Sequence, residues 1–115
     1  MRVTDPAKAL TGLSALIRKA PKFAEAYNQR AILYFRLEKY QRSVSDCEAA
    51  IQLNPHHFGA QAGMGQCYMK LKKPKAALRA FRSAIQINPG LEGVEETIQF
   101  LENALGEEGK KDDKK

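Results

Sequence analysis

Residues Ile51-Gln52-Leu53-Asn54-Pro55 return 34 residues later as Ile85-Gln86-Ile87-Asn88-Pro89, and Pro21 stands a further 34 residues before Pro55. A fixed period of this length marks stacked supersecondary units, each unable to bury its apolar face alone. Such a stack presents a long surface to a partner more readily than a catalytic cavity. Working outward from the two matching stretches, the 115 residues resolve into helical segments separated by breakers.

Asp5-Pro6 reads as an N-cap followed by proline at the first helical position. The helix it opens runs to about Lys19, with Ala9, Leu10, Leu13, Leu16 and Ile17 on one face, and Pro21 ends it. Helices follow over about 23–37, with the stripe Tyr27, Ala31, Tyr34 and Leu37, and over about 41–53, with Val44, Cys47, Ala50 and Ile51. Asn54-Pro55 stops the second of these, asparagine being tolerant of the left-handed conformation and proline unable to continue a helix. The pattern then repeats over about 57–71 (Met64, Gly65, Tyr68, Leu71) and 74–87 (Ala77, Leu78, Phe81, Ala84, Ile85), closed by Asn88-Pro89. A last helix is expected from Leu91 to Leu105, with Val94, Ile98, Leu101 and Leu105 inward and Glu92, Glu95 and Glu96 in its first turns, where the helix dipole favours negative charge. Gly106 suits the position just past its end. No segment alternates with the period of a strand.

Close packing of paired helices needs small residues where they meet. Ala31 and Gly65 take equivalent places in the first helix of each pair, and Ser43 and Ala77 answer them in the second. Tyr34, Tyr68, Leu37, Leu71 and Phe81 supply the bulk on either side. Read against the signature W-x2-L-G-x2-Y, A-x3-F, P, the first unit is Tyr27-x2-Arg30-Ala31-x2-Tyr34, Ser43-x3-Cys47, Pro55. The second is Gln61-x2-Met64-Gly65-x2-Tyr68, Ala77-x3-Phe81, Pro89. On these residues the chain resembles the tetratricopeptide repeat family. The resemblance implies an all-α, right-handed α-solenoid of about six helices in antiparallel pairs. It is organised as a half-repeat helix (4–21), two units (24–57 and 58–91), a polar-faced capping helix (92–105) and a charged tail without fixed structure (106–115). Arg30, Gln61 and Cys47 depart from the pattern, where an aliphatic and two aromatic residues are usual, and are expected to weaken local packing.

The resemblance also implies a concave groove lined by the first helix of each unit. Its stripe here is Glu25, Asn28, Ile32, Phe35 and Arg36, continued by Gly59, Ala62, Gln66, Met69 and Lys70. Asn28, Ile32, Phe35, Arg36, Gln66, Met69 and Lys70 are the candidate partner-binding residues. Ile32, Phe35 and Met69 are not needed for packing within a unit. Apolar side chains beside amides and cations suit an extended peptide or a partner helix, acidic groups meeting the cations. The segment from Tyr27 to Ala31 is similar to part of the two-carboxylate clamp of chaperone-binding repeats. Gln29 replaces the clamp asparagine, however, and Gly59 and Gly63 stand where the clamp needs lysine and arginine, which excludes a working clamp of that kind.

The formal charge of +6 is unevenly placed. Between Glu48 and Glu92 there is no acidic residue, and Lys70, Lys72, Lys73, Lys75, Arg79 and Arg82 supply the whole excess. Lys72, Lys73, Lys75, Arg79 and Arg82 form a candidate basic patch on a turn and an outward helix face. It would suit an acidic partner, but no aromatic residue is interleaved for stacking bases, which argues against nucleic acid. His56-His57 lacks the i, i+4 spacing of a metal face, Ser43, Ser45 and Asp46 have no histidine in register, and Gly63-x-Gly65 lies inside a helix rather than after a strand. No catalytic, metal-binding or cofactor-binding set emerges. Cys47 and Cys67 read as small apolar residues of a reducing intracellular compartment. There is no apolar run of membrane-spanning length and no secretory h-region. The expectation is a non-catalytic interaction module for a protein or peptide. The alternatives are self-association through the unpaired first helix, or binding of RNA or an acidic surface through residues 70–82.

Overall fold

The computed structural model describes residues 5–106. Six helices follow one another without a strand among the described residues: α1 Pro6–Lys19, α2 Ala24–Arg36, α3 Tyr40–Leu53, α4 Phe58–Lys70, α5 Pro74–Ile87 and α6 Val94–Leu105. Each packs on the next, and α2 also reaches α4, as in a solenoid whose alternate helices line one side. The result is elongated, 45 by 24 by 24 Å. The expected charged tail beyond Gly106, and the start of the half-repeat at Thr4, lie outside the described residues.

The first helix begins as the sequence dictates. Asp5 Oδ1 accepts from the backbone N–H of Ala7 at 3.1 Å and of Lys8 at 3.4 Å, and Pro6 occupies the first turn, where its missing N–H costs nothing. Pro74 opens α5 in the same way. The asparagines end their helices by a different route from the one expected. Asn54 and Asn88 are extended, with φ of −143° and −135°, because a residue before proline is driven out of the helical region. Their side chains then accept from the N–H two residues on, at 3.1 Å from His56 and 3.1 Å from Gly90.

Left-handed residues lie instead in the turns inside each pair: Glu38 at φ +61° and Lys72 at φ +62°, again 34 apart. There the N–H of Lys39 reaches Tyr34 C=O at 2.8 Å and that of Lys73 reaches Tyr68 C=O at 2.9 Å, closing α2 and α4. Helix α6 starts at Val94 rather than Leu91, since Gly93 is left-handed at φ +80°. Only Glu95 and Glu96, not Glu92, therefore sit in its first turn.

Two buried clusters run along the stack. Ala31, Cys47, Ala50 and Ala60 form one, with Tyr27, Ile51 and Met64 against it. Ala77, Leu78, Phe81, Val94 and Leu101 form the other, with Tyr68, Ile85, Leu91, Ile98 and Leu105 against it. The small residues meet as expected. Ser43 Oγ donates to Ala31 C=O at 2.7 Å, and the Phe81 ring lies so close on Gly65 that a Cβ there would stand 2.8 Å from it.

Arg30 corrects the expectation of weakened packing. Its guanidinium forks onto Asp46 at 2.7 and 2.8 Å and reaches Ser14 Oγ at 3.1 Å, so one side chain ties α1, α2 and α3 together. The hydrogen bond to Asp46 also raises the arginine pKa further, and Tyr34 lies under the same guanidinium at 5.8 Å. Cys47 likewise leaves no poorly covered thiol: it is buried, as is Cys67, and both are free.

Candidate functional site

The three first-position helices, α2, α4 and α6, share one side of the stack, and the hollows between them make the groove. Five of the seven residues expected there come together at one place. Asn28, Ile32, Phe35, Arg36 and Gln66 line a hollow of about 330 Å³ with Ala31, Ser43, Cys47, Gly59 and Gly63. The next hollow brings Met69 and Lys70 together with Gln66, Phe81 and Thr97. Ile32 is 42% exposed and Met69 37%, so both offer apolar surface to a ligand.

Phe35 differs from the expectation. It is half-buried and meets the Tyr40 ring edge-on at 5.3 Å, so it both lines the groove and braces α2 against α3. Ala62 is partly drawn into the second core cluster rather than standing in the open. Glu25 lies at the far end of the stripe in a polar knot. Gln29 Nε2 donates to its carboxylate at 2.7 Å, and His57 Nε2 lies 2.9 Å from its other oxygen. His57 Nδ1 accepts the Ala60 N–H at 3.1 Å, which caps α4 and leaves the ring proton on Nε2, facing Glu25. Those two hydrogen bonds, Gln29 first and His57 second, hold the Glu25 carboxyl below its ordinary pKa.

The groove is electrically lopsided. Arg36 and Lys70 close the last turns of α2 and α4, both are exposed, and neither is paired with a described residue. Glu25, already engaged, marks the opposite end. The floor is neutral, because burial pushes the Cys47 thiol up to about 12 and raises that of Cys67 as well. Thiols in that state are weak nucleophiles. Among the described residues no group of histidine, cysteine, aspartate and glutamate is placed to hold a metal ion, and no helix is long and apolar enough to cross a membrane.

Part of the basic patch is already engaged. Arg82, expected on the outward face, instead turns toward α6 and donates to Glu102 at 2.7 Å. Lys75 and Arg79 are engaged as well. Lys72 and Lys73 remain on the exposed turn between α4 and α5.

One groove residue escapes the reading of the sequence. Phe100, 62% exposed, stands on α6 beside Met69, Lys72, Pro74 and Ala104. It interrupts an exposed face of α6 that otherwise carries Glu95, Glu96, Gln99 and Asn103. A signal for it exists: Ile32, Gln66 and Phe100 are spaced 34 and 34 apart, so a third beat of the period carries the groove onto α6.

Comparison with known proteins supports this architecture. The family model for the tetratricopeptide repeat matches residues 24–57 and 60–91. A TPR repeat-containing protein of Rhizobium etli is 32% identical over 97 residues, which cover 84% of this chain and 48% of that protein. Hsp70-Hsp90 organizing protein 1 of Glycine max is 26% identical over 92 residues, covering 76% of this chain and 16% of the other. The chain thus spans about half the length of the first relative and far less of the second. Among solved structures, the first TPR of Spaghetti, bound to an HSP90 peptide, superimposes with a TM-score of 0.83 at 23% identity, covering 87% of this chain and 79% of that one. At that identity the likeness carries the fold: an all-α solenoid of paired helices.

Proposed function

Because the chain belongs to the tetratricopeptide repeat family, we propose that it is a non-catalytic interaction module holding a peptide or partner helix of another protein in the groove of α2, α4 and α6. One observation carries this reading. Residues 34 apart along the chain put apolar side chains and two cations, unpaired among the described residues, on one side of the stack, where Ile32, Met69 and Phe100 keep much of their surface open to solvent. Solvent-facing apolar surface bordered by polar groups is the usual mark of a protein-binding site. Repeats of the same fold hold peptides, as the complex of the Spaghetti repeat with an HSP90 peptide illustrates. Acidic groups on the ligand would meet Arg36 and Lys70, which have no partner among the described residues. The half-repeat α1 and the helix α6 complete the two central units on either side. Buried, protonated cysteines suit a reducing intracellular compartment.

The test is a binding comparison between the wild type and the double variant Ile32→Ala plus Met69→Ala. Phe35 is left intact because its ring also packs on Tyr40. The variant is expected to melt like the wild type and to lose about tenfold or more in affinity for partners identified with the wild-type protein, the scale of truncating two apolar side chains in an interface. Unchanged affinity for every partner would remove the groove from the interaction.

A further inference from the structure

The charge of the molecule is sorted by edge. In a stack of antiparallel helices, the turns inside the pairs project from one edge and the turns between pairs from the other. The first edge carries Arg36, Lys39 and Arg42 at the α2–α3 turn and Lys70, Lys72 and Lys73 at the α4–α5 turn, all of them exposed. Lys8, in the first turn of α1, adds to it. The carboxylates of this edge are Glu38 and Asp5, and Asp5 is spent on capping α1. The other edge sets Glu25, Glu92, Glu95 and Glu96 against Arg18, Lys19 and Lys22. Between the edges, Arg30 is paired with Asp46 and Arg82 with Glu102. Most of the excess of +6 therefore stands along one edge. The fold does not call for this. Lys72 is left-handed at φ +62°, a conformation that glycine takes at less cost. Lys70 and Lys73 repel it at close range, and the chain has no acidic residue between Glu48 and Glu92. Local costs of this kind are characteristic of functional surfaces. Apolar surface adjoins the cations: Phe100, 62% exposed, borders a hollow of about 370 Å³ with Met69, Pro74 and Ala104, which Lys72 also lines.

We infer that this edge adsorbs the protein to an anionic phospholipid surface, whose headgroups meet the two cationic turns while Phe100 supplies an apolar contact beside them. The two turns stand about 16–20 Å apart, twice the usual spacing of packed helices. One acidic side chain cannot span that distance, whereas a continuous plane of negative charge meets both turns without a fixed register. A cluster of four to eight basic side chains is the pattern by which proteins hold such membranes, each cation adding several-fold in affinity. Nucleic acid is set aside because Tyr40, the aromatic residue between Lys39 and Arg42, is spent on Phe35, and the α4–α5 turn has no ring on which bases could stack. The helices then stand on the membrane by their ends, and the groove along their side stays open to a peptide. The inference is independent of the groove reading and asks for no membrane-crossing helix, none being long and apolar enough among the described residues.

The test is cosedimentation of the full chain with vesicles of phosphatidylcholine alone, or of phosphatidylcholine and phosphatidylserine in equal parts. Binding is expected to the mixed vesicles only, and it should weaken as salt shortens the reach of the charges. Two variants remove the same charge from opposite edges. One carries Lys39→Gln, Lys72→Gln and Lys73→Gln, the other Arg18→Gln, Lys19→Gln and Lys22→Gln. All six side chains are exposed, so both variants are expected to keep the wild-type helical circular dichroism. The first is expected to bind mixed vesicles about tenfold or more weakly than the wild type, and the second to stay within about twofold of it. Equal losses in the two variants would mean that net charge alone attracts the chain, and would overturn the edge. Failure to bind mixed vesicles at low salt, or equal binding to phosphatidylcholine alone, would overturn it as well. Tighter binding of a fluorescein-labelled RNA duplex than of the mixed vesicles would reassign the surface to nucleic acid. The Ile32→Ala plus Met69→Ala variant is expected to keep its hold on the vesicles, so the groove and the edge fail separately. A loss of vesicle binding in that variant, with none in Lys39→Gln, Lys72→Gln and Lys73→Gln, would move lipid contact to the groove and sink the proposal.

Discussion

The first repeat is built around a polar clip, the second around a ring. Arg30 and Asp46 in the first correspond to Met64 and Ala80 in the second, and Ala31 and Cys47 correspond to Gly65 and Phe81. The backbone is the same in both, down to the left-handed residue in the turn, Glu38 in one and Lys72 in the other. Asp46 and Ala80 are each 5% exposed, so a buried carboxylate and a buried methyl occupy the same site. What the helical pair requires at these places is filled space and satisfied polar groups, and two unlike chemistries meet that requirement. Both solutions leave a hollow on the groove side, about 330 Å³ beside Arg36 and about 360 Å³ beside Lys70.

The largest expected effect comes from breaking the clip. Asp46→Ala leaves the Arg30 guanidinium without its carboxylate between three helices and should destabilise the chain by about 3 kcal/mol in chemical denaturation, the scale of a buried pair broken on one side. Changing Arg30→Met together with Asp46→Ala installs the second repeat's pair and should recover most of that loss, since an apolar pair of suitable volume replaces a buried ion pair at little cost. If the double change is as damaging as the single one, the two repeats are not interchangeable at this site.

A smaller contrast separates two glycines on one helix. Gly65→Ala forces the Phe81 ring to move and should cost about 1–3 kcal/mol, the range for overpacking a core. Gly63→Ala meets only an ordinary contact with Cys47 and should stabilise α4 by about 0.5–1 kcal/mol through helix propensity. Thermal melts of the two variants should therefore move in opposite directions. Parallel shifts would mean that the two repeats do not differ in how tightly they pack at these positions.

The smallest effect concerns the knot that only the first repeat carries, Glu25 with Gln29 and His57, whose counterpart at residue 59 is a glycine. Glu25 has a folded pKa below its ordinary value of 4.5, so folding favours the anion. The stabilisation is present above that value and is lost as the pH falls through the lowered pKa. Between pH 5 and pH 3 (about the window that brackets this titration) the wild type should lose slightly more stability than Glu25→Gln. The difference should be under about 1 kcal/mol, because the carboxylate is well exposed to solvent. Identical acid profiles would show that the knot adds nothing.

Most of the architecture is legible in the sequence because it is local. Proline and asparagine break helices through their own backbone preferences, and a 34-residue beat of such breaks fixes the number and order of helices. The groove stripe on α2 and α4 is legible for the same reason, since helical spacing alone puts Asn28, Ile32, Phe35 and Arg36 on one face. Phe100 escapes because its helix, α6, looks like the end of the period rather than its next beat. The extended state of Asn54 and Asn88 escapes as well. The constraint from the following proline outweighs asparagine's tolerance of the left-handed region.

By itself, then, the sequence determined six helices, their pairing and the face that looks into the groove, all consequences of interactions between residues a few positions apart. Only the tertiary structure decided where long side chains end. It turned Arg30 from a packing fault into a tie across three helices, and Arg82 from an outward charge into a partner of Glu102. It also showed that the thiol of Cys47, where the second repeat has a ring, is covered by its neighbours to 1% exposure. Such outcomes depend on distances between atoms 16 or 20 residues apart in the chain, which helical periodicity does not set and which packing of one helix on the next does.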